Sequence, residues 1–279
     1  MNVYSIFVAT IFTIFISHLG LGQQLTHTEA LSIGETITLQ SEVLNEKRVL
    51  NIYLPNSYDS DKAKSYPVIY LLDGTIDEDF IHIAGLIQFG SFSWINMVQE
   101  SIVVGIANID RKKDFTYPTT IEEDKKNFPT TGHSKNFIKF IKEEVINTVT
   151  STYRTTNNST LIGQSLGGLL ATEILFTETN LFEKYIIVSP SMWWDDGSLF
   201  LKQPTQIEPS PDIFIAVGSE GPRMETDAMK LYVSLLQQIR DDKKVGFSFL
   251  KEQTHGDALH LAVYNALEFF KPKKQETEE

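Results

Sequence analysis

Residues 163–167 read Gly163-Gln164-Ser165-Leu166-Gly167, and this stretch decides how the chain folds. It matches G-x-S-x-G, the pattern of a nucleophilic serine in a sharp turn between a strand and a helix. Residues 159–162 before it favour a strand, and residues 168–176 after it are apolar enough for a helix. Glycine two residues before and two residues after Ser165 removes Cβ atoms that would collide in such a turn. The pattern predicts that Ser165 is an exposed nucleophile, and the flanking strand and helix disfavour a chance match.

A serine hydroxyl needs a neighbouring base before it attacks an acyl carbon, and histidine is the usual one. Only His255 and His260 follow the serine in the chain. Residues 245–250 favour a strand and residues 258–270 a helix, so His255 falls in a loop at a strand end, beside a glycine. His260 falls inside the helix, where a structural role is expected. We therefore expect His255 to be the base.

A third residue, an acid, orients such a histidine and follows the penultimate strand. That strand is predicted at residues 213–218, and Glu220 comes directly after it. Asp227, where the next predicted helix begins, is the alternative acid, although the helix dipole also explains carboxylates in a first turn. The sequence favours Glu220 and leaves the identity of the acid open.

Two backbone N–H groups are expected to stabilise the oxyanion that develops on the substrate. Leu166 supplies one, because its amide lies at the N-terminus of the helix after the serine. Residues 68–72 are apolar throughout, as in a buried parallel strand, and Asp73-Gly74 follow them. We expect the N–H of Thr75, or of Gly74 itself, to be the second donor; an ordinary Asp-Gly turn is the alternative.

Five segments of the chain occur in the order found in one known family: residues 70–74, 102–106, 163–168, 189–194 and 254–256. Together they resemble the putative-esterase family of α/β-hydrolases, which holds esterase D, feruloyl and acetylxylan esterases, and siderophore esterases. The resemblance covers roughly residues 36–271. It implies that a Ser165–His255 pair acts on carboxylic esters. Some siderophore esterases of this family work with a serine–histidine dyad, which also leaves the acid open.

The fold class that follows is α/β, specifically the α/β-hydrolase fold, with a mostly parallel central sheet and helices on both faces. Residues 35–43 and 48–54 favour paired strands, consistent with an antiparallel edge on that sheet. Residues 80–97 and 134–153 favour helices, and residues 110–132 favour a long polar loop.

Aromatic residues are candidates for contact with the substrate. Trp193 and Trp194 follow a predicted strand at the same sheet end as Ser165, where a tryptophan could stack on a sugar or an aromatic ring. Core packing is the alternative, and because neighbouring side chains diverge, at most one is expected to face substrate. His82, near the oxyanion loop, is expected on the opposite wall, with buried packing as an equal alternative. No spacing of histidines or carboxylates predicts a metal site, and no cofactor is expected.

The charge balance bears on the partners. The formal net charge is −12, which argues against nucleic acid and anionic membrane surfaces as partners. It also fits poorly with a polyanionic iron–siderophore as substrate. A local cluster, Arg111-Lys112-Lys113, could still bind an acidic group, although a solvated loop is the more common role of such a cluster. The chain has no cysteine, so disulfides and thiolate metal sites are excluded.

The N-terminus favours a signal peptide at residues 1–22, with an apolar run from Ile6 to Leu21 and small residues at the cleavage position. Its first five residues lack Lys and Arg, and a membrane anchor is the alternative, but the run is short for a span of about 20 residues. Residues 23–279 are long enough for a single α/β domain. The protein is therefore expected to be exported, periplasmic or secreted, without stable membrane insertion after cleavage.

These features together predict an exported serine esterase that hydrolyses a small-molecule or saccharide-linked ester through an acyl-enzyme on Ser165. Two alternatives remain. One is a siderophore esterase that works with a Ser-His dyad. The other is a non-catalytic carbohydrate-binding protein that retains the fold.

Overall fold

A computed structural model describes residues 27–271, so the predicted signal peptide, residues 1–22, lies outside the described residues. Within the described part, eight strands form one sheet. They are β1 (Gly34–Ser41), β2 (Glu46–Tyr53), β3 (Tyr66–Leu71), β4 (Ile102–Ile106), β5 (Thr155–Gln164), β6 (Lys184–Val188), β7 (Asp212–Gly218) and β8 (Val245–Leu250).

The order of the strands confirms the mostly parallel sheet with an antiparallel edge. The strands lie in the order β1-β2-β4-β3-β5-β6-β7-β8. The pairs β1/β2 and β2/β4 are antiparallel, and every pair from β4/β3 to β7/β8 is parallel. The register aligns Gln164 at the end of β5 with Val188 at the end of β6, and Gly218 with Leu250 in the next pair. The loops that follow these strands therefore meet at one edge, which is where ligands bind in sheets of this kind.

Helices cover the sheet and separate its two apolar faces from water. In chain order they are α1 (Ser57–Ser60), α2 (Phe80–Gly90), α3 (Arg111–Phe115), α4 (Glu122–Asn127), α5 (Ser134–Phe140), α6 (Ile146–Thr152), α7 (Leu166–Thr177), α8 (Pro222–Ile239) and α9 (Ala258–Phe270). A π-helical turn, Ile141–Val145, joins α5 to α6, and a 3-10 segment covers Trp194–Leu201.

Two clusters of buried apolar residues form the core, one on each face of the sheet. The larger cluster includes residues of α3, α5, α6, α7 and α8, such as Phe137 and Leu169. The smaller one includes residues of α2 and α9, such as Ile83 and Val263. Because each parallel strand is covered on both sides, its sequence is nearly continuous in apolar residues. The predicted helices on both faces are thus confirmed.

Two predicted elements differ in extent from those observed. The helix predicted at residues 80–97 ends at Gly90, whose carbonyl accepts the N–H groups of Met97 and Val98 at 2.9 and 3.2 Å and so closes a turn. The polar loop predicted at residues 110–132 contains the short helices α3 and α4. Asp110 begins α3 because its carboxylate accepts two N–H groups of the first turn, each at 3.1 Å. No helix within residues 27–271 is long and apolar enough to cross a membrane.

Candidate active site

Ser165 lies in the sharp turn that joins β5 to α7. Its backbone has φ 59° and ψ −121°, a conformation that L-residues rarely adopt and that the surrounding structure must impose. The Ser165 N–H donates to Val188 O at 3.0 Å, and its carbonyl accepts the N–H of Leu169 at 3.0 Å. A Cβ on Gly163 would lie 2.3 Å from Gly167 O. The turn therefore requires glycine at 163, as the sequence pattern predicts.

His255 lies in the loop between β8 and α9, at the same sheet edge. Its Nδ1 lies 2.5 Å from Glu220 Oε2. The carbonyl of His255 accepts a hydrogen bond from Gln164 Nε2 at 2.6 Å, which fastens this loop to the residue before Ser165. The histidine side chain is 48% exposed, whereas that of Glu220 is 3% exposed. One ring nitrogen is thus held by a buried carboxylate, and the rest of the ring faces the cleft.

Glu220 is fixed by several hydrogen bonds in the turn after β7. Its Oε1 accepts the hydroxyl of Ser189, which is fully buried, and the N–H of Gly218 at 3.0 Å. The Glu220 N–H donates in turn to Glu225 Oε1 at 3.0 Å. Burial raises the pKa of Glu220, but the hydrogen bonds from His255, Ser189 and the Gly218 N–H outweigh burial and hold the pKa below its usual range. Glu220 is therefore ionised at neutral pH.

The alternative acid lies elsewhere. Asp227 Oδ2 accepts from Arg223 Nε at 2.7 Å, one turn along α8, and the side chain is largely buried. Glu225 accepts the N–H groups of Glu220 and Gly221, both at 3.0 Å, and so stabilises the turn. Of the acidic residues considered from the sequence, the structure brings Glu220 into contact with His255.

Ser165 and His255 line the same cleft, although no hydrogen bond joins their side chains within the described residues. The Ser165 hydroxyl lies 3.4 Å from that of Ser191, whose N–H donates to Ser165 O at 3.0 Å. Hydrogen bonds between a nucleophile and its base are often long or absent without substrate. Formation of a hydrogen bond between Ser165 and His255 would require the Ser165 hydroxyl to leave Ser191.

The cleft has two sides, which meet at Ser165 and His255. We name them after one residue each. The Trp193 side also contains Ser191, Ser219, Glu220 and Met224. The Asp79 side also contains Asp73, Glu78, Arg111, Gln164 and Gly256.

The loop after β3 contributes Asp73, Glu78 and Asp79 to the Asp79 side. Its Gly74 N–H donates to Ile106 O at 3.0 Å, and its Gly74 carbonyl accepts Asn51 Nδ2 at 2.9 Å. The amide of Gly74 is thus already used within the sheet edge, which leaves Thr75 as the predicted oxyanion donor of the two. Arg111 binds both carboxylate oxygens of the preceding Asp73, at 2.8 and 2.9 Å. This bidentate pair fixes the start of the loop.

Of the three residues expected to contact substrate, the structure places one in the cleft and two outside it. Trp193 is half-buried and lines the cleft. Trp194 is fully buried, and its indole N–H donates to Tyr117 O at 2.9 Å, so the expectation that it contacts substrate is corrected: it belongs to the core. His82 lies on the outer side of α2, where its ring stacks on His260 with centroids 4.9 Å apart. Neither side of the cleft includes His82, which corrects its assignment to the opposite wall.

Sequence reasoning missed three residues of the site. Ser189 and Ser191 support Glu220 and Ser165 respectively, and Asp79 lines the cleft. The segment Ser189-Pro190-Ser191 follows a strand at the correct sheet edge, and this position was the available signal. Asp79 gives no such signal, because an acidic residue before a helix looks like an ordinary N-cap. Within residues 27–271, no group of three or more His, Asp or Glu residues could hold a metal ion.

Comparison with known proteins gives one family. Residues 41–266 match the family described as "Putative esterase". The chain is 27% identical over 265 residues to the ferri-bacillibactin esterase BesA of Bacillus subtilis (strain 168), a match that covers 87% of this chain and 91% of that protein.

Solved structures agree with this match. An IroE-like serine hydrolase from Shewanella oneidensis superposes with a TM-score of 0.74 at 26% identity, over 84% of this chain and 79% of that one. The BES protein from Bacillus cereus superposes with a TM-score of 0.75 at 27% identity, over 89% of this chain and 100% of that one. The chain therefore belongs to the putative-esterase family of α/β-hydrolases and is a carboxylic ester hydrolase.

Proposed function

We propose that the protein is a serine esterase in which Ser165 is the nucleophile, His255 the general base and Glu220 the residue that orients the base. The observation that carries this proposal is the 2.5 Å contact between His255 Nδ1 and Glu220 Oε2. With Nδ1 bonded to a carboxylate, the imidazole holds its proton there and presents Nε2 as the acceptor for the serine proton. This contact favours a triad over a dyad.

The reaction has two halves. Ser165 Oγ attacks the ester carbonyl as His255 takes its proton, and the imidazolium then protonates the departing alcohol to leave an acyl-enzyme. The N–H groups of Leu166 and Thr75 stabilise the oxyanion, Leu166 being the first residue of α7. Water activated by His255 then attacks the acyl-enzyme, releases the acid and restores Ser165.

The substrate in this proposal is a small-molecule ester. One supported class is a siderophore ester, because the relative that is similar over most of its length is named a ferri-bacillibactin esterase. A saccharide-linked ester is the second class, and the observation in its favour is the half-buried Trp193 in the cleft, which could stack on a sugar ring. We further propose that residues 1–22 direct export to the periplasm or the medium, and that the mature protein is neither inserted in membranes nor bound to nucleic acid.

Labelling and substitution test the catalytic assignment. An organophosphonate should label Ser165, mapped by mass spectrometry, and Ser165→Ala should lower kcat/KM on an activated ester by at least about a thousandfold. His255→Ala should cost nearly as much, because the two residues act as a unit. His260→Ala, a histidine stacked on His82 outside the cleft, is the matched control and should cost little.

A separate variant tests the acid. Glu220→Gln should keep the fold and reduce kcat by less than His255→Ala does, since the nucleophile and base remain. Asp227→Asn is its control. A label on another serine, or full activity of Ser165→Ala, would refute the proposed nucleophile. A loss confined to Asp227→Asn would move the acid, and no loss in either variant would leave a Ser165–His255 dyad. Absence of any ester hydrolysis would favour the non-catalytic carbohydrate-binding alternative.

A further inference from the structure

The Asp79 side of the cleft carries uncompensated negative charge next to Ser165. Four charged residues besides His255 line it: Asp73, Glu78, Asp79 and Arg111. Arg111 is committed to Asp73 by two hydrogen bonds, at 2.8 and 2.9 Å, so this pair is neutral as a whole. Glu78 and Asp79 remain, and no lysine or arginine within the described residues forms an ion pair with either.

The side chain of Asp79 does not cap α2, although its position at the start of that helix suggests this role. It is the N-cap residue of α2, yet its side chain accepts no N–H group of that helix. Burial, together with the negative charges of Asp73 and Glu78, raises the pKa of Asp79 to about 6, and the opposing charge of Arg111 does not cancel this increase. A carboxylate with these neighbours is costly to ionise, and near neutral pH it is ionised without a partner.

Glu78 adds to this charge without neutralising it. Its Oε2 accepts the Thr75 hydroxyl at 2.8 Å and Asn108 Nδ2 at 3.3 Å, and both of these donors are neutral. Among the described residues, the Trp193 side supplies no compensating cation either, because the ionisable residues that line it are Glu220 and His255, which bond to each other. An ester bound at Ser165 is therefore exposed to a net negative field, and the walls of the cleft strengthen that field relative to open water.

We propose that Asp79, assisted by Glu78, makes this esterase select its substrates by charge, so that it prefers esters that carry an ammonium or similar cationic group, accepts neutral esters and repels anionic ones. This inference rests on the proposed hydrolysis of esters at Ser165, and of the two proposed substrate classes it favours the saccharide-linked ester and disfavours a polyanionic iron–siderophore. Asp79 is the main determinant because, of the carboxylates that line this side, it is the half-buried one whose side chain has no hydrogen-bonded partner among residues 27–271. A cationic group near the ester would pair with it when the ester carbonyl reaches Ser165.

Three acetyl thioesters of similar size and different charge test the proposal: acetylthiocholine, its uncharged analogue 3,3-dimethylbutyl thioacetate, and the acetyl thioester of 3-mercaptopropanesulfonate. Thiol release is followed with a disulfide reagent, which the protein itself does not consume because it has no cysteine. For the wild type we expect kcat/KM to fall from cation to neutral to anion, by about tenfold per step at low salt and less at high salt.

The decisive variant is Asp79→Asn, which keeps the shape of the side chain and removes its charge. We expect the preference for the cation over the neutral thioester to shrink severalfold, mainly through a higher KM for the cationic thioester. Glu78→Gln should act in the same direction and less strongly. Asp77→Asn is the matched control, because Asp77 is an exposed carboxylate in the same segment that does not line the cleft.

The outcomes separate the two proposals. If the wild type hydrolyses the neutral thioester but treats the three charges alike, or if Asp79→Asn and Asp77→Asn have the same effect, charge selection is refuted and the esterase stands. A preference for the anionic thioester would refute it as well. If the wild type hydrolyses none of the three thioesters or any activated ester, the proposed function fails and the inference fails with it.

Discussion

Ser165 is held in place mainly through its main chain, and Glu220 mainly through its side chain. The main chain of Ser165 is fixed by hydrogen bonds to Val188, Leu169 and Ser191, while its hydroxyl has one long contact, 3.4 Å, with the Ser191 hydroxyl. Glu220, in contrast, is fixed through its carboxylate. The serine hydroxyl is therefore less constrained than the carboxylate that orients the imidazole. Precise positioning of this kind is a large part of catalytic efficiency.

Asp79 gives a prediction about stability that is independent of activity. Its pKa of about 6 in the folded protein is above that of an aspartate in an unfolded chain, so the folded state loses stability as pH rises through that interval. Above about pH 6 the full cost is present, and below about pH 4 both states are protonated and it is absent. Asp79→Asn should therefore stabilise the protein by about 1–2 kcal/mol near pH 8, allowing for partial exposure of the carboxylate, and little near pH 4.

Thermal unfolding of wild type and variant at the two pH values measures this difference. Asp77→Asn, at an exposed position, should change Tm little at either pH. A lower Tm for Asp79→Asn near pH 8 would show that the carboxylate is structurally required. If Asp79→Asn stabilises the protein and also removes the preference for cationic substrates, then Asp79 contributes to substrate selection at a cost in stability.

At the scale of secondary structure, the sequence predicts best where one physical pattern acts alone. The strand at 245–250 and the helix at 258–270 occur within the predicted bounds, because continuous apolar residues and helical spacing there meet no competing signal. The end of α2 is missed since residues 91–97 keep apolar residues at helical spacing while Gly90 closes a turn. The local sequence pattern does not show which backbone N–H and C=O groups form hydrogen bonds with residues outside the helix.

In the candidate site too, the sequence predicts the placement of some residues correctly and that of others incorrectly. Ser165, His255 and Glu220 are accessible to sequence reasoning because each follows a strand at one edge of a parallel sheet. Trp194 and His82 are not, because adjacent side chains diverge and the direction of each depends on tertiary packing. Trp194 is fully buried in the core, where the carbonyl of Tyr117, 77 residues away in the chain, accepts its indole N–H.

The turn between β5 and α7 gives a prediction at this scale. Gly163→Ala should destabilise the fold by more than about 2 kcal/mol and reduce activity, because its Cβ would lie 2.3 Å from Gly167 O and displace the turn that carries Ser165. Gly85→Ala is the control: it lies in α2 with no atom within 4 Å of the added Cβ, and should stabilise by about 0.5–1 kcal/mol. Urea unfolding measures both. A tolerated Gly163→Ala would mean that the turn relaxes without displacing the serine.

At the scale of the whole molecule, the fold does not depend on any covalent cross-link. The chain has no cysteine, and two apolar clusters on either side of one sheet supply the buried surface. Arg48 and Asp114, both almost fully buried, form an ion pair at 2.7 Å that connects β2 to α3. Removal of one partner from such a buried pair costs about 3–5 kcal/mol, far more than loss of an exposed pair. None of these interactions requires an oxidising compartment.

Because folding does not require oxidising conditions, the proposed export can be tested separately from folding. A chain that begins at Gln23 lacks the proposed signal peptide but keeps every described element, since β1 begins at Gly34. We expect this shortened chain, produced in a reducing cytoplasm, to fold and to hydrolyse the neutral thioester as fast as exported protein does, because no disulfide has to form.

The full-length chain should instead be recovered outside the cytoplasm with an N-terminus at or near Gln23, as N-terminal sequencing would show. Full-length protein with intact Met1 in the soluble cytoplasmic fraction would refute export while leaving the esterase assignment untouched. A shortened chain that fails to fold would instead show that residues 1–22 contribute to the folded protein, and would overturn their assignment as a removable signal.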